Sequence, residues 1–251
     1  MSSSIWTQCA GASNIRPLQR APWRVVEAQH RISTRKLVDS LEEQAVLEQL
    51  LETSKPPERI ERRLHVLLST PFRYPPLRHG SRFGARHEPG IWYGSESRRT
   101  LLAEAAYYRF VFLDGTRTDL GAVTTTHTVF RVSMRTARGV DLTAPPFDRY
   151  RAAIASAADY TATQALGAAM RAAGVDAFRY PSARDPERGV NAAAFSSRAF
   201  GTAVPRNLET WHCTARRERV EFVRHDYFTS LAFAFPRDVF LLDGRLPAPA
   251  V

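Results

Sequence analysis

Between residues 80 and 109 an arginine, a tyrosine and a glutamate recur at equal intervals: Arg82, Tyr93 and Glu104 stand eleven positions apart. Each side chain has a distinct use at one ligand. A guanidinium grips two phosphate oxygens at once. A phenol offers a flat ring with a polar tip. A carboxylate stabilises positive charge as it develops. Glu104 sits in Leu101-Leu102-Ala103-Glu104-Ala105-Ala106, where a carboxylate is costly to bury unless it is paired or put to use.

To meet, these three residues must come from three successive elements. A Gly/Pro-punctuated loop carries Arg82, a short aromatic run over 91–93 places Tyr93 at a strand end, and a helix from 97 to about 108 carries Glu104. Its polar start suits capping. Tyr107 and Tyr108 must point to different faces, one of them into the core. In the loop, His87 is read as solvent-exposed. Upstream, apolar residues at helical period predict an amphipathic helix over 34–52, read as packing on the core. A second helix over 58–68 is expected to stop at Thr70-Pro71. Downstream, residues 126–135 alternate as a strand with Phe130, Val132 and Met134 on one face, and 140–143 extends the sheet. A helix over 159–173 ends at Gly174 and leads into a strand over 175–180. A strand over 189–196 follows, then a hairpin of 208–214 and 219–224 turned at Arg216-Arg217. Residues 1–20 and the Pro-Ala-Pro-Ala tail read as poorly ordered ends. The pattern predicts an α/β (α+β) domain with a mixed or mostly antiparallel sheet.

The segments Gly80-Ser-Arg-Phe, Trp92-Tyr93 and Leu102-Ala-Glu104 together resemble the RES-domain family, toxins of bacterial toxin–antitoxin pairs that degrade NAD. The likeness runs from about residue 23 to about 223, with a longer lead-in and a C-terminal extension. It implies an ADP-ribosyltransferase-like mixed sheet with surrounding helices. It divides the chain into a flexible arm (1–22), a helical lead-in (23–70), the catalytic domain (71–225) and an extension (226–251). It implies Glu104, Arg82, Tyr93 and Ser182 as catalytic residues, with Ser196 as a rival to Ser182. Arg73 with Tyr74, Arg24 and Asn191 are implied as substrate-binding residues, Arg24 competing with the Arg73–Tyr74 pair. NAD is then a substrate and no cofactor is needed. The acceptor is water, inorganic phosphate or a protein, and the partner is an Xre-type antitoxin.

Composition bounds the alternatives. The net charge is +10, and only Lys36 and Lys55 are lysines. Such a balance fits nucleic acid, an acidic partner or a phosphorylated small molecule. An RNA-cleaving toxin would use the arginines with His127, His212 and His225, which lack mutual spacing. A basic nucleic-acid-binding protein lacks a recognisable reading motif. Direct nucleic-acid binding is therefore not expected. Cys9 and Cys213 form neither a metal-ligand pattern nor a disulfide framework, so no metal is expected and a reducing, cytoplasmic setting is. No apolar run approaches membrane-spanning length.

Overall fold

The computed structural model describes residues 4–28, 38–54, 64–74, 80–225 and 229–248. The starts of the two upstream helices, at 34 and 58, and the end of the Pro-Ala tail lie outside these residues.

Ten strands form one sheet: β1 (Arg16–Arg20), β2 (Trp23–Glu27), β3 (Trp92–Ser95), β4 (Val123–Arg131), β5 (Met134–Asp141), β6 (Ala177–Pro181), β7 (Val190–Ala194), β8 (Arg206–Ala215), β9 (Arg219–His225) and β10 (Ser230–Pro236). Their spatial order is β1-β5-β6-β7-β3-β2-β4-β8-β9-β10. Every pairing is antiparallel except β5 with β6. The fold is thus α+β on a large mixed, mostly antiparallel sheet, as the alternation and the 208–224 hairpin predict. Among the described residues the α-helices are α1 (Ile5–Gln8), α2 (Leu41–Ser54), α3 (Val66–Arg73), α4 (Arg98–Asp114), α5 (Arg151–Ile154) and α6 (Thr161–Ala172).

The sheet nearly divides in its middle. β2 and β3 share one residue pair, Trp23 with Ser95, while β2 pairs with β4 over its whole length and β3 with β7 over its whole length. Cross-strand partners share a face, so Trp23 and Ser95 fix which sides of the two halves correspond. On that face α4 covers one half: Leu101, Leu102, Tyr107 and Phe110 bury against Trp23, Val129, Trp211 and Phe222. On the other half α6 buries Leu166 and Met170 with Phe178, Tyr180 and Phe83. The reverse face holds Trp92, Phe130, Val132, Met134 and Phe200 under Leu68 of α3.

Several local expectations need correction. Residues 4–20 are not a flexible arm: Ser4 caps α1, β1 pairs along β5, and Cys9 and Leu18 are buried. Nor is the C-terminal extension an appendage up to residue 248. β10 completes the sheet on β9, Phe235 and Phe240 enter the core, and Tyr107 donates its hydroxyl proton to the Pro247 carbonyl. Residues 126–135 belong to two strands, with β4 in one half of the sheet and β5 in the other. The alternation persists across the break because Phe130, Val132 and Met134 all enter the same cluster. Helix α3 runs through Pro71 to Arg73; proline removes one backbone donor there without ending the helix. It stops at Tyr74, which precedes Pro75 and is extended. Helix α2 does not pack its leucine pattern on the core: Leu41, Val46, Leu50 and Leu51 are 71%, 57%, 61% and 43% exposed, while Gln44 is buried. His87 is exposed, Tyr107 is core and Tyr108 is exposed, as expected.

Gly167 marks where α6 meets the Arg82 loop. A Cβ there would lie 1.9 Å from the Phe83 carbonyl oxygen, so no side chain fits without backbone movement. Gly167→Ala is therefore expected to cost about 1–3 kcal/mol through overpacking, read as a lower denaturant midpoint at unchanged slope.

Candidate functional site

Where the sheet divides, a cleft of about 730 Å³ opens between β2, β3, α4 and the 80–84 loop. Its wall along α4 is the stripe Leu101, Glu104, Ala105, Tyr108, Arg109 and Phe112, which are neighbours at i+3 and i+4. The start of that helix is fixed twice. Ser97 Oγ accepts from Thr100 N–H at 3.0 Å, and Thr100 Oγ donates to the buried Asp185 carboxylate at 2.8 Å.

Glu104 Oε1 accepts from Ser182 Oγ at 2.6 Å and from Asn191 Nδ2 at 2.7 Å. Both donors are themselves fixed. Ser95 Oγ donates to Asn191 Oδ1 at 2.6 Å, which turns the amide so that its nitrogen faces Glu104. Ser182 Oγ accepts from the backbone N–H groups of Arg184 and Asp185 at 3.1 and 3.0 Å, so its one proton goes to Glu104. Ser182 holds the carboxylate and is saturated in that role. Its rival Ser196 is elsewhere, capping a short 3-10 turn. The second carboxylate oxygen, Oε2, takes no bond from the described residues.

Tyr93 is the second residue of β3 rather than its last. Its hydroxyl exchanges a hydrogen bond with Ser81 Oγ at 2.9 Å and accepts from Phe83 N–H at 3.2 Å. Burial pushes its pKa up to about 12 against these contacts, so it stays neutral. Tyr180, which also lines the cleft, is pushed well up mainly by burial.

The arginines divide by role. Arg82 is buried, lies 4.5 Å above the Tyr160 ring, and donates to the carbonyls of Ile154 at 3.3 Å and Ser156 at 2.7 Å. Arg184, which the sequence did not single out, stacks at 3.5 Å on Tyr107 and donates to the Ala157 carbonyl. Together they fasten the 154–160 segment and set Tyr160 on the cleft wall. Arg24 donates through Nη1 to the Tyr93 carbonyl at 2.6 Å, while its Nε is buried with no partner among the described residues. Burial lowers its pKa to about 10, which leaves it cationic at neutral pH. Tyr74 also lines the cleft; Arg73, one residue earlier, does not.

At the far end of α4, Arg109 Nη2 lies 2.7 Å from Glu27 and 3.2 Å from His127 Nε2. His127 does not meet the other histidines. It pairs across strands with Trp211, so the adjacent His212 faces the opposite side of the sheet, and His225 is exposed at the end of β9. Among the described residues no three His, Cys, Asp or Glu side chains gather as a metal ion requires. No helix among them is long and apolar enough to cross a membrane.

The structure thus brings Glu104, Tyr93, Arg82, Arg24, Asn191 and Tyr74 to one cleft, seats Ser182 behind Glu104, and leaves Arg73 off the wall. Sequence reasoning missed Tyr160, Tyr180 and Arg184. Only pairing and helix packing bring these close to Glu104.

An α+β protein with a fixed carboxylate at a split in its sheet, faced by tyrosines and arginines, has the parts of a site acting on a phosphorylated, ring-bearing ligand. The RES-domain family model matches residues 56–216, more than half the chain, and the protein belongs to that family. The family is known in toxin–antitoxin systems, and membership gives a toxin-like, NAD-related role at the level of the family. No curated protein sequence matches the chain.

Burial, and secondarily Arg109, depress the His127 pKa from 6.5 to about 4. The unfolded chain therefore binds this proton first as pH falls. Stability conferred by neutral His127 is complete above about pH 6.5 and declines toward pH 4, by at most about 1.4 kcal/mol per pH unit. His127→Gln is expected to flatten the melting temperature over that window; an unchanged profile places the acid sensitivity elsewhere.

Proposed function

We propose that this protein cleaves the nicotinamide–ribose bond of NAD and passes the ADP-ribosyl group to water or inorganic phosphate. The observation that carries this reading is Glu104, whose carboxylate is gripped on one oxygen by Ser182 and Asn191 and faces a cleft walled by tyrosines and arginines. In NAD the nicotinamide nitrogen already carries positive charge. When its bond to the ribose carbon breaks, the electron pair stays on nitrogen and nicotinamide leaves neutral, so no general acid is required. The positive charge moves to the ribose carbon. A preorganised carboxylate lowers the energy of that cation. Two aimed donors keep Glu104 from turning away and spare any reorganisation during the reaction. The acceptor oxygen then bonds to the ribose carbon; water releases its proton to solvent in this step.

In this reading the tyrosines at the cleft supply ring surfaces, and Arg24 supplies charge for the diphosphate, its unpartnered Nε being the donor free to turn to a ligand. Arg82 acts through Tyr160 as well as by its charge. A protein that consumes NAD needs restraint, and an antitoxin of the Xre type is the partner proposed.

Glu104→Gln keeps the side chain's shape and removes the charge. Nicotinamide release should fall by on the order of a hundredfold or more, with circular dichroism and melting temperature close to wild type. Near-normal release would make Glu104 a structural residue. In the Glu104→Gln background, where NAD survives, calorimetric titration tests the arginines. Arg24→Ala and Arg82→Ala are each expected to weaken NAD binding by about tenfold or more, and Lys at position 82 to restore little. A single ammonium cannot bond two carbonyls and lie flat on Tyr160 at once. Unaltered affinity in both variants would move the diphosphate site elsewhere.

A further inference from the structure

The cleft extends well past Glu104. On α4, Phe112 lies eight residues beyond it, which at helical rise is about 12 Å away. Phe112 is 51% exposed although it lines the cleft with Val25 of β2. Beside it, Arg109 Nη2 bridges Glu27 and His127 at 2.7 and 3.2 Å, and Thr125 Oγ meets the same His127 nitrogen at 2.9 Å. Glu27 is thereby held at the rim, with 60% of its side chain in solvent. An open aromatic face, an apolar floor and an oriented carboxylate together suit a nucleoside: the ring stacks and the carboxylate accepts from a ribose hydroxyl.

We propose that this end of the cleft is the adenosine subsite of the dinucleotide, and that Glu27 selects a ribose with a free 2′-hydroxyl over one bearing a 2′-phosphate. The inference rests on the reading of Glu104 as the group facing the scissile ribose. The nicotinamide ring is bonded to the carbon that reacts, so it must lie at Glu104. A ring about 12 Å along α4 therefore belongs to the other half of the molecule. A 2′-phosphate at that place would meet the Glu27 carboxylate. Without Glu27, Arg109 would be free to receive it, reversing the preference.

The test compares nicotinamide release from NAD, NADP and nicotinamide mononucleotide. Wild type is expected to show a kcat/KM for NAD at least tenfold above that for the mononucleotide. Phe112→Ala is expected to cut this ratio about tenfold, chiefly through a higher KM for NAD. Glu27→Gln is expected to raise the NADP-to-NAD ratio about tenfold. A merely structural effect would lower all substrates alike and leave the ratios where they were, and that result overturns the subsite. Equal use of NAD and the mononucleotide by wild type also overturns it, while leaving the bond cleavage standing. Release from none of the three overturns the cleavage reading instead. Calorimetric titration of adenosine 5′-monophosphate then decides the subsite by itself: binding that weakens about tenfold in Phe112→Ala supports it, and no binding to wild type overturns it.

Discussion

One carboxylate oxygen joins three separate parts of the chain. Glu104 Oε1 belongs to α4, while its two donors come from the turn after β6 and from β7. Hydrogen bonds to a charged acceptor are short and strong, and each donor here is committed by a further contact. Ser182 has its lone pairs filled by two backbone N–H groups, and Asn191 has its carbonyl held by Ser95. Removing any member leaves a polar group near the core without its partner, which costs more than the bond itself contributes. This network also spans the place where the sheet comes closest to separating. Its members sit on α4, which packs over β2, β4, β8 and β9, and on the β6–β7 side, and so it ties the two halves together.

That near-separation is what makes room for a ligand. A continuous β2–β3 ladder would close the cleft, because paired strands lie about 4.8 Å apart. Here one pair, Trp23 with Ser95, keeps the halves in register, and beyond it the backbone groups turn to other partners. The Tyr93 carbonyl accepts from Arg24. Gly94 allows the approach: a Cβ there would stand 2.5 Å from the Trp23 carbonyl oxygen. The Arg82 loop closes the cleft from the side, with Gly80 at φ +71 making the tight turn and Tyr93 bonding to both Ser81 and Phe83.

Much of this was legible in the sequence, for local reasons. The Gly174 helix stop, the alternation at Phe130–Val132–Met134 and the hairpin at Arg216-Arg217 depend on neighbours within a few residues. So does the spacing of Arg82, Tyr93 and Glu104, whose three elements follow one another directly. What stayed hidden depends on long-range pairing. Tyr180 and Tyr160 reach Glu104 only because β6 lies two strands from β3 and because Arg82 and Arg184 fasten the 154–160 segment. The pairing of β1 with β5 could not be read from Arg-Pro-Leu-Gln-Arg, which buries one side chain, Leu18. The leucine spacing of α2 has the right period for a packed face, yet period alone does not say whether another element is there to receive it.

The charge balance illustrates the same limit. A surplus of arginine suggests a polyanion, but here many guanidiniums are tied to the fold's own acceptors and rings. Arg138 donates to the Ala173 and Gly174 carbonyls at the end of α6, Arg171 to Pro89, Arg149 to Gln8 and Arg131 to Ala21. Arg98 lies 3.8 Å over Trp23 and is paired with Glu209. Each planar fork meets a carbonyl or a ring where irregular backbone would otherwise leave an acceptor unfilled, a task for which five fixed donors suit arginine better than lysine. Net charge does not record that these groups already hold partners within the fold, Arg131, Arg138 and Arg149 among them although exposed. These guanidiniums anchor loops and helix ends, whereas Arg24 lines the cleft with a buried Nε that has no partner among the described residues.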